Sequence, residues 1–219
     1  MSALKPWYQV VAPREDLRSD RPLDASEFAV QLDDLRRCTA RDDYQDPARF
    51  FRRTYFTEHL RALASQVLRR LSGSAVESSA VYSLLTQFGG GKTHAMAMLY
   101  HLAHGGGAAS GWSGVREILD LAGLKSAPEA RTAIFVGLDF DPLEGRSEDG
   151  ITRYTPWGEI AWQLGGAASY EVVARHDRER IAPAGDVIRK MLPDGAPVLI
   201  LIDELMSFVG RHGTSKESG

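Results

Sequence analysis

Residues 86–93 read TQFGGGKT and lie between an apolar run, residues 80–85, and an alanine- and leucine-rich stretch, residues 94–104. In chain order this pattern predicts a strand, a glycine loop and a helix. Three consecutive glycines let backbone N–H groups turn inward without a Cβ clash, and the loop opens onto a helix N-terminus whose unpaired donors attract an anion. The stretch therefore favours a loop that binds a polyphosphate.

The polar residues at the end of this loop have roles that follow from their chemistry. Lys92 would reach the β- and γ-phosphates as a point charge, and the hydroxyl of Thr93 would take one coordination position on Mg²⁺. This combination is typical of the phosphate-binding loop of a nucleoside triphosphatase. The residues expected to hold the nucleotide are Phe88, Gly89, Gly90, Gly91, Lys92, Thr93 and His94.

Thr86 departs from the phosphate-loop pattern G-x-x-x-x-G-K-[ST], which has glycine six residues before the lysine. Either Thr86 adopts a conformation open to a β-branched residue, or Gly89 and Gly90 make the turn one step later. The alternative is a glycine-rich turn from strand to helix, followed by lysine and threonine by chance. The flanking strand and helix favour the phosphate loop, because they are the context that the motif requires.

A second motif follows at residues 196–204, which read APVLILIDE. An apolar run without alternation predicts a strand buried on both faces, as in a parallel sheet, with its two final carboxylates in the crevice where ligands bind. Asp203 is expected to hold Mg²⁺ with Thr93, directly or indirectly, and Glu204 to polarise the water that attacks the γ-phosphate. The alternative is an acidic pair that caps a helix over residues 205–209. The glycine loop upstream makes this alternative the weaker interpretation.

The composition of the chain sets the outer bounds. With 219 residues, 43% of them hydrophobic and 25% charged, the sequence is typical of an ordinary globular protein with one domain, or one domain and an appendage. A net charge of −3 gives no global attraction for nucleic acid or anionic lipid. The single cysteine, Cys38, excludes a disulfide within the chain and fits a reducing cytoplasm. We expect a cytoplasmic protein that is not inserted in a membrane.

Two regions follow from the pattern of apolar residues and turn signals. Residues 1–75 are predicted to form a helical N-terminal module, in which an extended arm over 1–23 precedes a helix capped by Ser26 or Asp24 and a helical stretch over 48–71. Residues 76–219 are predicted to form the nucleotide-binding core. The elements predicted there between the two motifs are helices over 112–124, 155–165, 170–181 and 184–192, a buried strand over 132–140 and a polar loop over 141–149. The helix over 155–165 is expected to start with the Thr155 hydroxyl as cap and proline at its first position, and to end at Gly165 and Gly166.

Basic and histidine residues admit other interpretations. The arginines over residues 49–70, with nearby aromatic residues, would suit nucleic-acid contact, but interleaved acids favour solvated helix faces. His94 and His101 lie seven residues apart on one predicted helix face, and His104 follows three residues later. Either spacing would suit a metal, but no carboxylate or cysteine lies on the same turn, so we expect hydrogen-bonded or surface histidines.

Several segments together resemble a known family. They are residues 43–47 (DYQDP), 88–94 (FGGGKTH), 99–102 (LYHL), 155–165 (TPWGEIAWQLG) and 201–204 (LIDE). In these segments the chain resembles the large bacterial ATPases of domain-of-unknown-function family 499. The likeness covers nearly the whole chain. Its nucleotide motifs are shared widely among ATPases, and the segment over residues 155–165 is the more specific signal.

The resemblance implies an AAA+-like ATPase, similar to proteins encoded beside DNA methyltransferases and helicases in phage-defence loci. It implies ATP and Mg²⁺ as cofactors, a homo-oligomer or partner proteins, and DNA contact through other regions. We therefore expect an α/β P-loop NTPase fold, AAA+ or RecA-like, with a three-layer parallel sheet, and an enzyme that hydrolyses ATP to drive a motor or switch. The alternative is a nucleotide-gated binding module with negligible turnover. The sequence does not identify the arginine finger of such an ATPase, and Arg153 and Arg211 are simply available for that role.

A carboxylate directly after the aspartate of the second motif marks the branch of P-loop proteins that includes the AAA+ and RecA-like folds. In that branch another strand, later in sequence, lies between the loop strand and the Asp-Glu strand. No candidate for that strand follows Glu204 in residues 205–219. We therefore expect the 219 residues to be an N-terminal part of a longer protein, incomplete in its sheet, and expect the isolated chain to bind nucleotide weakly, to hydrolyse almost none and to aggregate.

Overall fold

The computed structural model of the protein describes residues 5–12, 30–74, 79–85 and 91–214. The chain divides into two compact units, Met1–Val30 and Gln31–Gly219. The first unit contains a helical turn, α1 (Trp7–Val10), so the arm predicted to be extended is helical at these four residues. Residues 1–4 and 13–23 of that arm lie outside the described residues, as do both caps predicted for the next helix.

The described part of the second unit consists mainly of helices, and 56% of the structure is helical. Its α-helices are α2 (Leu32–Arg37), α3 (Asp42–Gln45), α4 (Pro47–Arg53), α5 (Glu58–Leu71), α6 (Lys92–Gly105), α7 (Val115–Ala122), α8 (Pro156–Glu179), α9 (Gly185–Met191) and α10 (Leu205–Thr214). A 3₁₀ helix, Gly106–Gly111, follows α6 directly. No helix in the described part is both long and apolar enough to cross a membrane.

The strands form two small sheets. β1 (Arg131–Val136) and β4 (Val198–Asp203) pair in parallel, with Ile134 opposite Leu201 and Val136 opposite Asp203. β2 (Arg146–Glu148) and β3 (Ile151–Arg153) form an antiparallel hairpin within the region predicted to be a polar loop and just beyond it. The expectation of a mixed α/β fold with a parallel sheet is confirmed at this level.

The parallel pair is covered by helices because its two faces are apolar. Ala133 and Phe135 of β1 belong to a buried core with α8, Met191 of α9 and Phe208 of α10. Ile134 and Leu201 are on the opposite face, toward α6, which contacts both strands. β1 is buried on both faces, as a strand of a parallel sheet requires. The prediction that β4 is also buried on both faces is wrong, because Ile200 and Ile202 border the groove and are exposed, whereas Leu201 and Asp203 on the other face are buried.

The two edges of this sheet differ. At the outer edge of β1, the backbone N–H of Ile134 donates to the Gln163 side-chain oxygen, and the Gln163 amide donates to the Ile134 carbonyl, both at 2.8 Å. The outer edge of β4 has no strand beside it in the described part of the chain. It faces a groove of about 740 Å³, which residues 80–84 and helices α5 and α6 also line.

The prediction of a strand over residues 80–85 is wrong. Residues 81–85 have no regular secondary structure, and Val81 and Leu85 are 81% and 90% exposed. A strand exists only where its backbone groups find a partner, and here the groove separates this segment from β4. The apolar pattern alone could not supply that partner.

Some of the other helix and strand boundaries differ from their predicted positions, and the differences have local causes. The stretch predicted as one helix over 48–71 is divided into α4 and α5, because the Thr57 side chain accepts the Leu60 N–H and starts a new helix. The strand predicted over 132–140 ends at Val136. The start of α8 is confirmed, with Thr155 as N-cap and Pro156 in the first turn. The predicted break at Gly165 and Gly166 is also present, as non-helical backbone within α8.

Candidate functional site

The N-terminus of α6 is where the loop over residues 86–93 enters the helix. Gly91 is the N-cap residue, with φ of 76° in the left-handed region that favours glycine, and its carbonyl accepts the Ala95 N–H at 2.9 Å. Within the described residues no side chain caps this helix, whose first two residues are Lys92 and Thr93. Residues 86–90, which include Thr86, Phe88, Gly89 and Gly90, lie outside the described residues, so their roles stay predictions.

A hydrogen bond joins this helix end to the end of β4. The Thr93 hydroxyl donates to Asp203 Oδ2 at 2.8 Å, across 110 residues of sequence. The other carboxylate oxygen, Oδ1, accepts the backbone N–H of Glu204 at 3.0 Å. Asp203 is only 9% exposed, so both contacts hold its carboxylate in one orientation.

The chain leaves β4 through a constrained turn at Glu204. Its φ is 50°, which is uncommon for a residue with a side chain. Gly137, at the end of β1, lies directly against this turn, since a Cβ on Gly137 would be 2.2 Å from the Glu204 carbonyl oxygen. The Gly137 N–H also donates to the Asp203 carbonyl at 2.8 Å. A side chain at position 137 would therefore displace the turn that follows Asp203.

Asp203, the last residue of β4, and Glu204, the residue after it, have side chains in different surroundings. Asp203 faces Thr93, whereas Glu204 is exposed and its Oε2 lies 3.5 Å from the Ser207 hydroxyl, too far for a strong hydrogen bond. The backbone carbonyl of Glu204 accepts the Ser207 N–H at 3.0 Å and so begins α10. Half-buried Lys92 lines the same groove as Asp203 and Glu204, so the structure brings Lys92, Thr93, Asp203 and Glu204 to one place.

His94 has its imidazole against the α3–α4 segment. Its ring centroid lies 4.6 Å from that of Phe50, and its Nε2 lies 3.1 Å from the Thr54 hydroxyl. Burial lowers the pKa of His94 below its ordinary value. The sequence placed His94 and His101 on one helix face, but it gave no signal that Phe50 and Thr54 would be their neighbours.

The two further arginines named from the sequence have internal partners. Arg153 is fully buried, its Nε donates to Glu159 Oε2 at 2.8 Å, and its guanidinium lies 4.8 Å from the Trp162 ring. Arg211 donates to the carbonyls of Gly137 and Leu138, the latter at 2.9 Å. These contacts tie Arg211 to the loop beyond β1.

The segment over residues 155–165 contributes buried polar residues that the sequence analysis did not single out. Glu159 is fully buried and also contacts Arg146 at 3.2 Å, and Arg146 reaches Asp33 of α2 at 3.1 Å. This network fixes the β2–β3 hairpin between α2 and α8. The signal in the sequence was an acid four residues into a helix, which is too common to identify a network.

Asp177, in the last turn of α8, is the centre of a second group of buried polar contacts, which joins it to the start of the same helix. It accepts hydrogen bonds from the Thr155 hydroxyl, the Tyr154 N–H and the Tyr170 hydroxyl. Burial, together with the neighbouring Asp177 carboxylate, raises the pKa of Tyr170 to about 12. Tyr170 therefore stays protonated and acts as a donor.

The candidate site offers oxygen ligands from Thr93 and Asp203, and the type of ligand decides which metal ion the site would bind. In the described ranges no three or more histidine, cysteine or acidic residues lie close enough to hold a metal ion by themselves. Mg²⁺ does not need such a cage, because it keeps several waters and binds one or two carboxylates together with substrate phosphates. The adjacent Thr93 hydroxyl and Asp203 carboxylate are hard oxygen donors and fit that ion.

The protein is thus a mixed α/β chain with a parallel strand pair, in which a helix N-terminus and a strand C-terminus place a hydroxyl beside a carboxylate. The model of the DUF499 N-terminal domain matches residues 8–120 and 129–218. The chain belongs to this family, as the resemblance in its motifs predicted. No curated protein and no solved structure matches the chain.

Proposed function

We propose that the protein binds ATP with Mg²⁺ at the N-terminus of α6 and hydrolyses it. The observation that carries this proposal is the 2.8 Å hydrogen bond between the Thr93 hydroxyl and Asp203. It joins the end of the glycine loop to the end of an apolar strand, two motifs that are unrelated in sequence. The pair lies beside Lys92 at the N-terminus of α6, where a phosphate loop places its metal-binding residues.

The proposed chemistry is electrostatic and positional. Backbone N–H groups at the start of α6 and the Lys92 ammonium bind the β- and γ-phosphates. Thr93 and Asp203 would hold Mg²⁺, which when bound neutralises charge on the phosphate oxygens. Glu204, exposed at the start of α10, orients the attacking water and accepts its proton.

The wider role is proposed from the family resemblance. The core would be a P-loop NTPase of AAA+ or RecA-like type, with a three-layer parallel sheet. ATP turnover would drive a motor or switch in a bacterial DNA-related system of the phage-defence type. The protein would act as a homo-oligomer or with partner proteins, and other regions would contact DNA.

One observation favours a second function, a nucleotide-gated binding module with negligible turnover. The Glu204 carboxylate lies 3.5 Å from the Ser207 hydroxyl in the first turn of α10, and the Glu204 backbone carbonyl accepts the Ser207 N–H that begins this helix. A residue in that place serves the helix whether or not it activates water. Binding and turnover therefore need separate tests.

Nucleotide binding is tested by Lys92→Ala in the full-length protein. We expect this change to abolish tight MgATP binding in isothermal titration calorimetry, because it removes the cation that faces the β- and γ-phosphates. Lys125→Ala, on the exposed turn after α7, is the matched control and should bind as the wild type does. Equal affinity in Lys92→Ala and wild type would contradict the phosphate-loop assignment.

Turnover is tested by Glu204→Gln, measured as steady-state phosphate release. The amide keeps the size of the side chain but accepts no proton, so we expect unchanged MgATP affinity and loss of hydrolysis. Glu144→Gln, on an exposed loop, is the control. Hydrolysis at the wild-type rate in Glu204→Gln would assign Glu204 to the helix start, and a wild type that binds but does not hydrolyse would support the binding module.

A further inference from the structure

Two histidines of α6 contact the α3–α4 segment, residues 42–54, through one aromatic ring. The Phe50 ring centroid lies 4.6 Å from that of His94 and 5.2 Å from that of His101. Phe50 is 1% exposed. Because residues seven apart lie about two turns apart on the same helix face, both imidazoles contact this ring from one side of α6.

The hydrogen bonds of this contact fix where the imidazole protons lie. The Thr54 hydroxyl has one proton and donates it to the Phe50 carbonyl at 2.8 Å. Its oxygen therefore accepts from His94 Nε2, 3.1 Å away. The Tyr44 carbonyl, 2.7 Å from His101 Nε2, can only accept as well. Both histidines thus donate from Nε2 to the α3–α4 segment.

His94 directly follows Thr93, so the first turn of α6 has an anchor on each of two sides. Successive residues of an α-helix are about 100° apart around its axis. Thr93 is held by Asp203 at the end of β4, and His94 is held by Thr54 and Phe50. A rotation of α6 that kept one contact would break the other.

We propose that His94 is a positioning residue, which through Thr54 and Phe50 holds the first turn of α6 so that the Thr93 hydroxyl faces Asp203. The inference rests on the proposed MgATP site and adds to it the support that the α3–α4 segment provides. The sequence placed His94 among the residues expected to hold the nucleotide, but its imidazole lies against Phe50 and Thr54. His94 is therefore assigned a role through Thr93 and no contact with the nucleotide. By linkage, occupation of the site also stabilises the α3–α4 segment.

Substitutions of Thr54 test this role without altering α6. Thr54→Val removes the hydroxyl at constant shape, and Thr54→Ser keeps it. Calorimetry would measure ATP binding with Mg²⁺ and with EDTA. Thr54→Val also removes the hydroxyl bond to the Phe50 carbonyl, but that carbonyl still accepts the Thr54 N–H at 3.0 Å. We therefore expect Thr54→Val to weaken MgATP binding roughly three- to tenfold, the value of the Thr54–His94 hydrogen bond, and to leave metal-free ATP binding unchanged. Thr54→Ser should retain the wild-type affinity in both conditions.

Thr132→Val is the matched control. It removes a hydroxyl that pairs with His104 Nδ1 at 3.1 Å, at the far end of the same helix. We expect no change in either affinity. A loss of Mg²⁺-dependent binding in Thr132→Val equal to that in Thr54→Val would overturn the inference, because the effect would then be a general loosening of α6.

Hydrogen exchange in the wild-type protein gives a second measurement, which does not depend on the folding of a variant. MgATP should slow amide exchange in α4, and unchanged exchange there would overturn the inference. Wild-type MgATP affinity in Thr54→Val would also overturn it, while leaving the proposed function in place. A wild-type protein that binds no MgATP would overturn the proposed function, and the inference with it.

Discussion

His101 is the residue whose protonation state the fold controls most clearly. It is 4% exposed, and burial lowers its pKa from the ordinary 6.5 to about 4, with His104 acting in the same direction. The Tyr44 carbonyl and Asp46 oppose this shift. At neutral pH the imidazole is therefore uncharged, as its place beside Phe50 requires.

This shift predicts acid destabilisation between pH 6.5 and about 4. Because the folded pKa is the lower one, the unfolded chain binds more protons in this window, and the free energy of unfolding falls as the pH falls. The contribution of His101 is about 3 kcal/mol at most. Chemical denaturation at a series of pH values would measure it.

His101→Gln should flatten this pH dependence, because glutamine donates a hydrogen bond but does not titrate. His94 and His104, whose pKa values burial also lowers, would maintain a smaller slope. His59→Gln, at an exposed position, is the control and should keep the wild-type slope. The full slope in His101→Gln would refute the assignment to His101.

Single residues could be predicted where the cause is local. Thr155 and Pro156 were expected to start a helix and do so, because a cap and a first-turn proline act within three residues. The partners of His94 could not be predicted, since Thr54 is 40 residues away and only tertiary packing brings it near. For the same reason, Asp203 was matched to Thr93 from their chemistry and not from their spacing.

Among the elements, β1 is closed at its outer edge by a side chain from α8. The Gln163 amide satisfies both backbone groups of Ile134, a residue that is 1% exposed. It also donates to the buried Glu159 at 2.7 Å. This arrangement ends the sheet at β1 and leaves only β4 able to accept another strand.

Gln163→Leu should destabilise the protein by about 2 kcal/mol or more, because it leaves a buried N–H and a buried carbonyl without partners. Denaturant unfolding would measure the loss. Glu171→Leu, on an exposed position of α8, should change stability by about 0.5 kcal/mol or less. Equal stabilities for the two variants would show that water replaces the Gln163 amide at this edge.

Elements were predicted well where periodicity and caps coincide, and poorly where pairing decides. The strand at 198–203 was expected from its unbroken apolar run and is present. The run over 80–85 looks similar but has no paired neighbour. The β2–β3 hairpin was missed because its strands are three residues long and rich in polar residues, so that neither apolar alternation nor length marks them.

At the scale of the whole molecule, the free edge of β4 is the main exposed apolar feature of the groove. Ile200, Ile202 and Met206 are 36%, 42% and 74% exposed, and Val81 is 81% exposed on the opposite wall. An unpaired strand edge beside apolar surface is a template for association between chains.

We therefore expect the 219-residue chain to associate as its concentration rises, in sedimentation velocity measurements. Ile200→Lys should reduce this association, because a charge on an edge strand opposes pairing. Leu143→Lys, which adds the same charge at a residue that is 62% exposed outside the groove, should have no such effect. Equal association in both variants would place the contact elsewhere.

The hydrogen bond between Thr93 and Asp203 has a consequence for synthesis on the ribosome. The two residues are 110 positions apart. At about 5–20 residues per second, Asp203 is therefore synthesised roughly 5 to 20 seconds after Thr93. α6 and β1 are completed within that interval, whereas β4 is completed only at its end. The proposed Mg²⁺ site is therefore assembled only after nearly the whole described chain has been translated, so that MgATP held jointly by Thr93 and Asp203 cannot guide the folding of the earlier elements.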